Sequence, residues 1–276
     1  MKFPHRSAFA RVGELVLAAI VLAAAGACSS SLRSKGLVPT GTVNPDQFLF
    51  ERGTKELNDK KWLNAREYFK ELIETYTQSP YRPDAKLGMG DTYLGEGSSE
   101  SLVLAINEFK EFLTFYPTNR RADYAQYKLA LAHFRQMRAP QRDQSETRDA
   151  VHEFDVFLDR YPNSTLAPEV KDHLREARDR LSEADYEVGF FYFRQRWYPG
   201  AADRFLTVLK DDPDFKNRDA VYFYLAETYV KTNQKARALP YYEKLVEEFQ
   251  QSEYLRDARK RIEELRSTSE TKAAGG

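Results

Sequence analysis

Residues Tyr186–Pro213 read YEVGFFYFRQRWYPGAADRFLTVLKDDP, and their spacing decides the fold. Gly189 stands three residues before Tyr192 and twelve before Ala201; Phe205 follows Ala201 by four, and Pro213 follows it by twelve. This is the spacing of a tetratricopeptide repeat, a helix–turn–helix unit of about 34 residues. Two antiparallel helices come close only where facing side chains are small, which puts Gly189 and Ala201 at their contact. Phe205 and Val208 fall on the same face of the second helix as Ala201. Tyr198-Pro199-Gly200 turns the chain between the helices, and Pro213 closes the unit because proline cannot extend a helix.

The second helix recurs along the chain. Ala65 is followed by Phe69, Ala105 by Phe109, Ala150 by Phe154, Ala201 by Phe205 and Ala238 by Tyr242. A proline closes three of these units twelve residues after the alanine, at Pro117, Pro162 and Pro213; the first has its proline late, at Pro80, and the fifth has Gln250 instead. The small residues of the partner helices are Gly53, Gly88, Ala130, Gly189 and Ala226. The pattern predicts an all-α fold: a superhelical array of five tetratricopeptide-like helix pairs with a C-terminal capping helix.

Ahead of the array, Lys2, Arg6 and Arg11 precede an apolar run, Leu15 to Ala27, that is too short to span a bilayer comfortably. It ends Ala25-Gly26-Ala27-Cys28, small residues before the single cysteine of the chain. This resembles a bacterial lipobox, although Ala25 stands where leucine is usual. The pattern predicts a lipoprotein signal peptide over 1–27 and a lipid (palmitate among its acyl chains) on Cys28. A single cysteine forbids an internal disulfide. Residues 28–46 are rich in Ser, Gly, Thr and Pro and read as a lipidated flexible tether.

Repeats 1–3 are predicted over 47–165 and repeats 4–5 with the capping helix over 166–266, with a disordered tail at 267–276. Gly95–Ser101, GEGSSES, reads as a long loop in the second repeat. From Glu169 to about Arg196 the helical pattern is uninterrupted, too long for one repeat, and reads as a bridge between two halves.

Lys+Arg and Asp+Glu both number 42, so no net charge draws the chain to nucleic acid or an anionic membrane. His5, His133, His152 and His173 do not pair with one another or with cysteine at metal-ligand spacing, and His133 reads as a packed core residue. No P-loop and no GxSxG is present. Asp211-Asp212 sits at a turn and reads as solvated. No nucleophile–base constellation emerges, so the chain reads as a non-enzyme without metal or cofactor beyond the lipid. Phe50, Tyr127 and Phe134 fall on inner faces of first helices, where they either pack the core or line a peptide groove. Arg204 has no acidic residue three or four positions away, which leaves its guanidinium for a carboxylate elsewhere.

With the lipobox-like segment, the tether, five repeats and DRYPNS at 159–164 before the long helix, the chain from Cys28 on resembles the BamD (ComL) family of outer-membrane assembly lipoproteins. The resemblance implies a scaffold anchored at the periplasmic face of the outer membrane. Its C-terminal repeats, with Arg204, would bind the periplasmic domains of the barrel-assembly subunit alongside accessory lipoproteins. Its N-terminal repeats would meet unfolded outer-membrane proteins. A repeat lipoprotein tying peptidoglycan or a division complex to the outer membrane is the alternative. A lytic transglycosylase needs a globular catalytic domain for which no residues remain.

Overall fold

In a computed structural model, residues 36–274 are described, with side chains through residue 267. The segment at 1–27 and Cys28 lie outside the described residues. The chain divides into two units, Met1–Pro45 and Asp46–Gly276. In the first, Thr42 Oγ1 donates to the Pro39 carbonyl at 2.8 Å, closing a turn in which Gly41 takes φ +89°.

Eleven helices and no strand occur among the described residues: α1 Pro45–Asn58, α2 Trp62–Thr75, α3 Arg82–Glu96, α4 Ser99–Phe115, α5 Ala122–Phe134, α6 Ser145–Arg160, α7 Ala167–Arg194, α8 Tyr198–Asp211, α9 Arg218–Lys231, α10 Lys235–Glu248 and α11 Leu255–Ala274. From α3 to α11 each helix packs on the one before it in sequence, as a solenoid of helix pairs requires. The seam residues Gly53, Ala65, Phe69, Ala105, Phe109, Ala150, Phe154, Gly189, Ala201, Phe205, Ala226, Ala238 and Tyr242 are all buried. The aromatic of each second helix needs the small residue opposite. A Cβ on Gly53 or on Gly88 would stand 2.6 Å from the Phe69 ring, and one on Gly189 would stand 2.8 Å from Phe205.

Two devices recur that the repeat signature does not contain. Lys60, Arg196 and Asn233, each five residues before a seam alanine, turn the chain with φ near +60°. At repeat junctions a serine bonds to the first-turn aspartate of the preceding repeat: Ser79 to Asp46 at 2.7 Å, Ser164 to Asp123 at 2.7 Å and Ser252 to Asp219 at 2.6 Å. Each serine hydroxyl also accepts from a backbone N–H two residues on, which starts the next helix.

Three expectations are corrected. GEGSSES is not a long loop: α3 runs through Glu96, Gly97 caps it with φ +72°, and Ser98 caps α4 by accepting from the Ser101 N–H. Serine before an apolar helix is an N-cap as readily as a loop. The tail is helical through Ala274, since propagation from an existing helix avoids the cost of nucleation. Asp212 is not solvated but buried, accepting from Arg175 Nη2 at 2.5 Å and Ser182 Oγ at 2.6 Å. Burial opposes its charge; the bonds from Arg175 and Ser182 outweigh that and hold its carboxyl below the ordinary range.

The long helix α7 spans 28 residues, about 42 Å at 1.5 Å per residue. Its first half sends Val170 and Leu174 into a core cluster with repeats 2 and 3. Its second half packs Tyr186, Phe190 and Phe193 against a separate cluster formed by α8 to α11.

Candidate partner-binding surface

The second half of α7 has an apolar face in each direction. Tyr186, Phe190 and Phe193 point into the core, while Val188 and Phe191 remain exposed, Phe191 by 56%. Trp197, 55% exposed, joins them from the α7–α8 turn, edge-on to Tyr192 at 4.5 Å between ring centroids. The patch continues into an open cleft of about 670 Å³ between α7 and the loop before α6. Leu181, Ala184, Val188 and Phe191 line one wall, and Pro140–Gln144 the other. That loop is wired to itself: Gln144 Nε2 donates to the carbonyls of Ala139 and Arg142, and its Oε1 accepts from Thr147.

Arg204 borders this surface. Its Nη1 donates to Asp185 Oδ1 at 3.2 Å, across the α7–α8 seam, and both side chains are roughly half exposed. Sequence spacing excluded a partner only within its own helix; the partner comes from the neighbouring one. A pair so exposed contributes about 0–1 kcal/mol, so a second carboxylate can compete for the guanidinium at small cost.

The three groove candidates separate. Tyr127 is 4% exposed, and its hydroxyl donates to Glu169 Oε1 at 2.6 Å. Burial, then the Glu169 carboxylate, push its pKa up. It is a core residue rather than a groove contact, because α7 closes over α5. Phe134 is partly buried, 4.7 Å from His173 and 6.0 Å from Phe154 between centroids. His173 also lies over Tyr127, so Tyr127 and Phe134 meet around a residue the periodicity did not mark. Phe50 is elsewhere, stacked on Tyr81 at 5.3 Å in the first repeat.

The repeat signature does not mark the exposed patch, because Val188, Phe191 and Trp197 lie off the seam positions. The signal was phase. Val188 and Phe191 are three residues apart, on the helix face away from Phe190 and Phe193.

Residues 43–238 match the YfiO family, described as outer membrane lipoproteins. The chain belongs to that family. Its relatives include the outer membrane protein assembly factor BamD of Caulobacter vibrioides, 26% identical over 221 residues, covering 80% of this chain and 70% of the relative. That of Vibrio cholerae is 27% identical over 197 residues, covering 68% of this chain and 78% of the relative. Among solved structures, the TPR2AB domain of yeast Sti1 in its pHSP90 complex aligns with a TM-score of 0.43 at 12% identity, over 83% of this chain and 86% of that one. Membership in the YfiO family associates the chain with the outer membrane, and among the described residues no helix is long and apolar enough to cross it.

Proposed function

We propose that this chain is a non-catalytic scaffold for outer-membrane protein assembly, held at the periplasmic face by a lipid on Cys28. It docks the periplasmic domains of the barrel-assembly subunit on the outer face of α7 and α8. The observation that carries this reading is the exposed patch of Val188, Phe191 and Trp197 beside Arg204. Aromatic side chains and arginine dominate binding energy at protein interfaces, and a monomer seldom leaves several large apolar groups together in water without use. Accessory lipoproteins bind elsewhere on the solenoid. Unfolded outer-membrane proteins lie along the N-terminal repeats, with Phe50 and Phe134 as contacts and Tyr127 supporting Phe134 from within. No bond is made or broken, so the scaffold needs no catalytic residue.

Phe191→Ser and Arg204→Glu test the docking. Both side chains are exposed, and the Arg204–Asp185 pair is worth only about 0–1 kcal/mol, so both variants fold and lose little in melting temperature. Loss of an interface anchor costs about 2 kcal/mol, roughly thirtyfold in affinity. Co-purification of the barrel subunit with either variant should fall accordingly. Wild-type recovery with both variants refutes the surface, and recovery of peptidoglycan-binding or division proteins instead favours the adaptor reading.

A further inference from the structure

His133 enters the fold on the last turn of α5, and its side chain is only 7% exposed. Its Nδ1 lies 2.8 Å from Glu146 Oε2, in the first turn of α6; its Nε2 is buried with no hydrogen-bond partner. The imidazole therefore has one polar contact, and that contact is a carboxylate at the protein surface. One turn further along α6 stands Asp149, exposed, its carboxylate in neither ion pair nor hydrogen bond among the described residues. One ligand atom from each of His133, Glu146 and Asp149 lies within 4.8 Å of the others.

Other buried polar side chains show how this molecule ordinarily satisfies such groups. Asp212 has Arg175 and Ser182; Glu227 receives Tyr242 and Arg261; Gln126 donates to the backbone and side chain of Glu153. Beside His133, Glu146 Oε2 has one further contact, from Gln136 Nε2 at 3.5 Å. Two carboxylates one helical turn apart repel each other. No lysine or arginine among the described residues is paired with either.

We propose that His133, Glu146 and Asp149 form a binding site for a divalent transition-metal ion of the zinc type. One imidazole nitrogen with two carboxylate oxygens suits zinc, whereas calcium and magnesium take all-oxygen sets. The exposed side leaves room for water as the fourth ligand. Tetrahedral ligands about 2 Å from a zinc ion stand roughly 3.3 Å apart. Glu146, 37% exposed, need only swing outward from its 2.8 Å contact to admit the ion. The metal would neutralise the two carboxylates and pin the end of α5 to the start of α6. It would thereby close the loop of residues 135–144, part of which walls the cleft beside α7. The ligands come from two helices, which is why spacing within the sequence did not bring them together.

The test uses full-length protein without an affinity tag. Zn²⁺ is titrated by calorimetry and Co²⁺ by its visible absorption, with melting followed in parallel. Saturable one-to-one binding is expected, with a metal-dependent rise in melting temperature. Asp149→Asn and Glu146→Gln should each weaken binding about tenfold or more. Asp149 has no partner to lose, so Asp149→Asn melts like the wild type without metal. His133→Gln should abolish the Co²⁺ spectrum; because His133 is buried, the two surface variants decide the matter if that protein fails to fold. No saturable binding, or binding unchanged in both Asp149→Asn and Glu146→Gln, overturns the proposal.

Discussion

Gly88→Ala is a demanding test of the packing that defines this fold. Alanine is the better helix former, and in a helix interior the exchange alone stabilises by roughly 0.5–1 kcal/mol. At Gly88, however, the new Cβ would lie 2.6 Å from Phe69 Cζ and 2.7 Å from Cε2, where ordinary contact begins at 3.4 Å. The ring has no retreat. It is 1% exposed, and on α1 a Cβ at Gly53 would stand 2.6 Å from Cε1 of the same ring. Phe69 thus sits between helices of two successive repeats, each approaching it with a bare Cα. Overpacking a site of this kind costs about 1–3 kcal/mol, so with the middle of each range the net effect is a loss of roughly 1 kcal/mol despite the better propensity. Urea unfolding followed by far-ultraviolet circular dichroism measures it. In a Phe69→Leu background the same substitution should cost less, because a smaller side chain makes room for the methyl, and the difference is the coupling between the two positions. Two outcomes would refute the seam assignment: a Gly88→Ala protein as stable as the wild type, or a cost that is the same with and without the Phe69→Leu change.

Asp212→Asn should cost about 1–3 kcal/mol, less than for a fully buried ion pair because Arg175 is 34% exposed. The folded pKa of Asp212 is depressed, so its contribution is present above the unfolded value near 3.9 and lost as pH falls through the lower folded one. The variant should accordingly show a shallower acid limb in stability against pH, and an unchanged limb would remove Asp212 as its source. Cys28→Ala should release the protein from the outer membrane in fractionation; retention at wild-type levels would mean that something other than a lipid holds it. Photo-crosslinkers at Phe50 and Phe134 should capture unfolded barrel precursors, and capture confined to the second helices of these repeats would reject the groove.

What the sequence made legible was whatever depends on local period. Small residues and aromatics at fixed offsets mark where helices touch, because close approach demands them whatever the rest of the chain does. Residues that answer to neighbours distant in the chain were not legible. Asp212 looks like a turn aspartate until α7 brings Arg175 and Ser182 to it, from 37 and 30 residues away. Arg204 has no acid within its helix, yet Asp185 reaches it from the preceding one. Tyr127 has the phase of an inner-face residue and is buried because α7 lies over it, its hydroxyl bonded to Glu169 from 42 residues away. His133 shows the same limit: its position is periodic, but Glu146 belongs to the next helix.

The length of α7 has a consequence for the proposed scaffold. A shorter helix with a loop after Leu174 would leave the two core clusters free to hinge. Here one helix supplies both, and moving one cluster against the other means breaking its backbone hydrogen bonds or pulling Leu174 or Tyr186 from its neighbours. Asp212 strengthens the continuity, since its two partners, Arg175 and Ser182, lie on α7 near the boundary between the clusters. The proposed docking patch at Val188 and Phe191 and the ring of His173, against which Phe134 of α5 packs, are therefore set on one rigid rod. His173 and Phe191 are 18 residues apart on it, about 27 Å at 1.5 Å per residue. A partner held at the patch and a peptide held at the N-terminal repeats would keep that spacing without any conformational step, which is what a scaffold that does no chemistry has to provide.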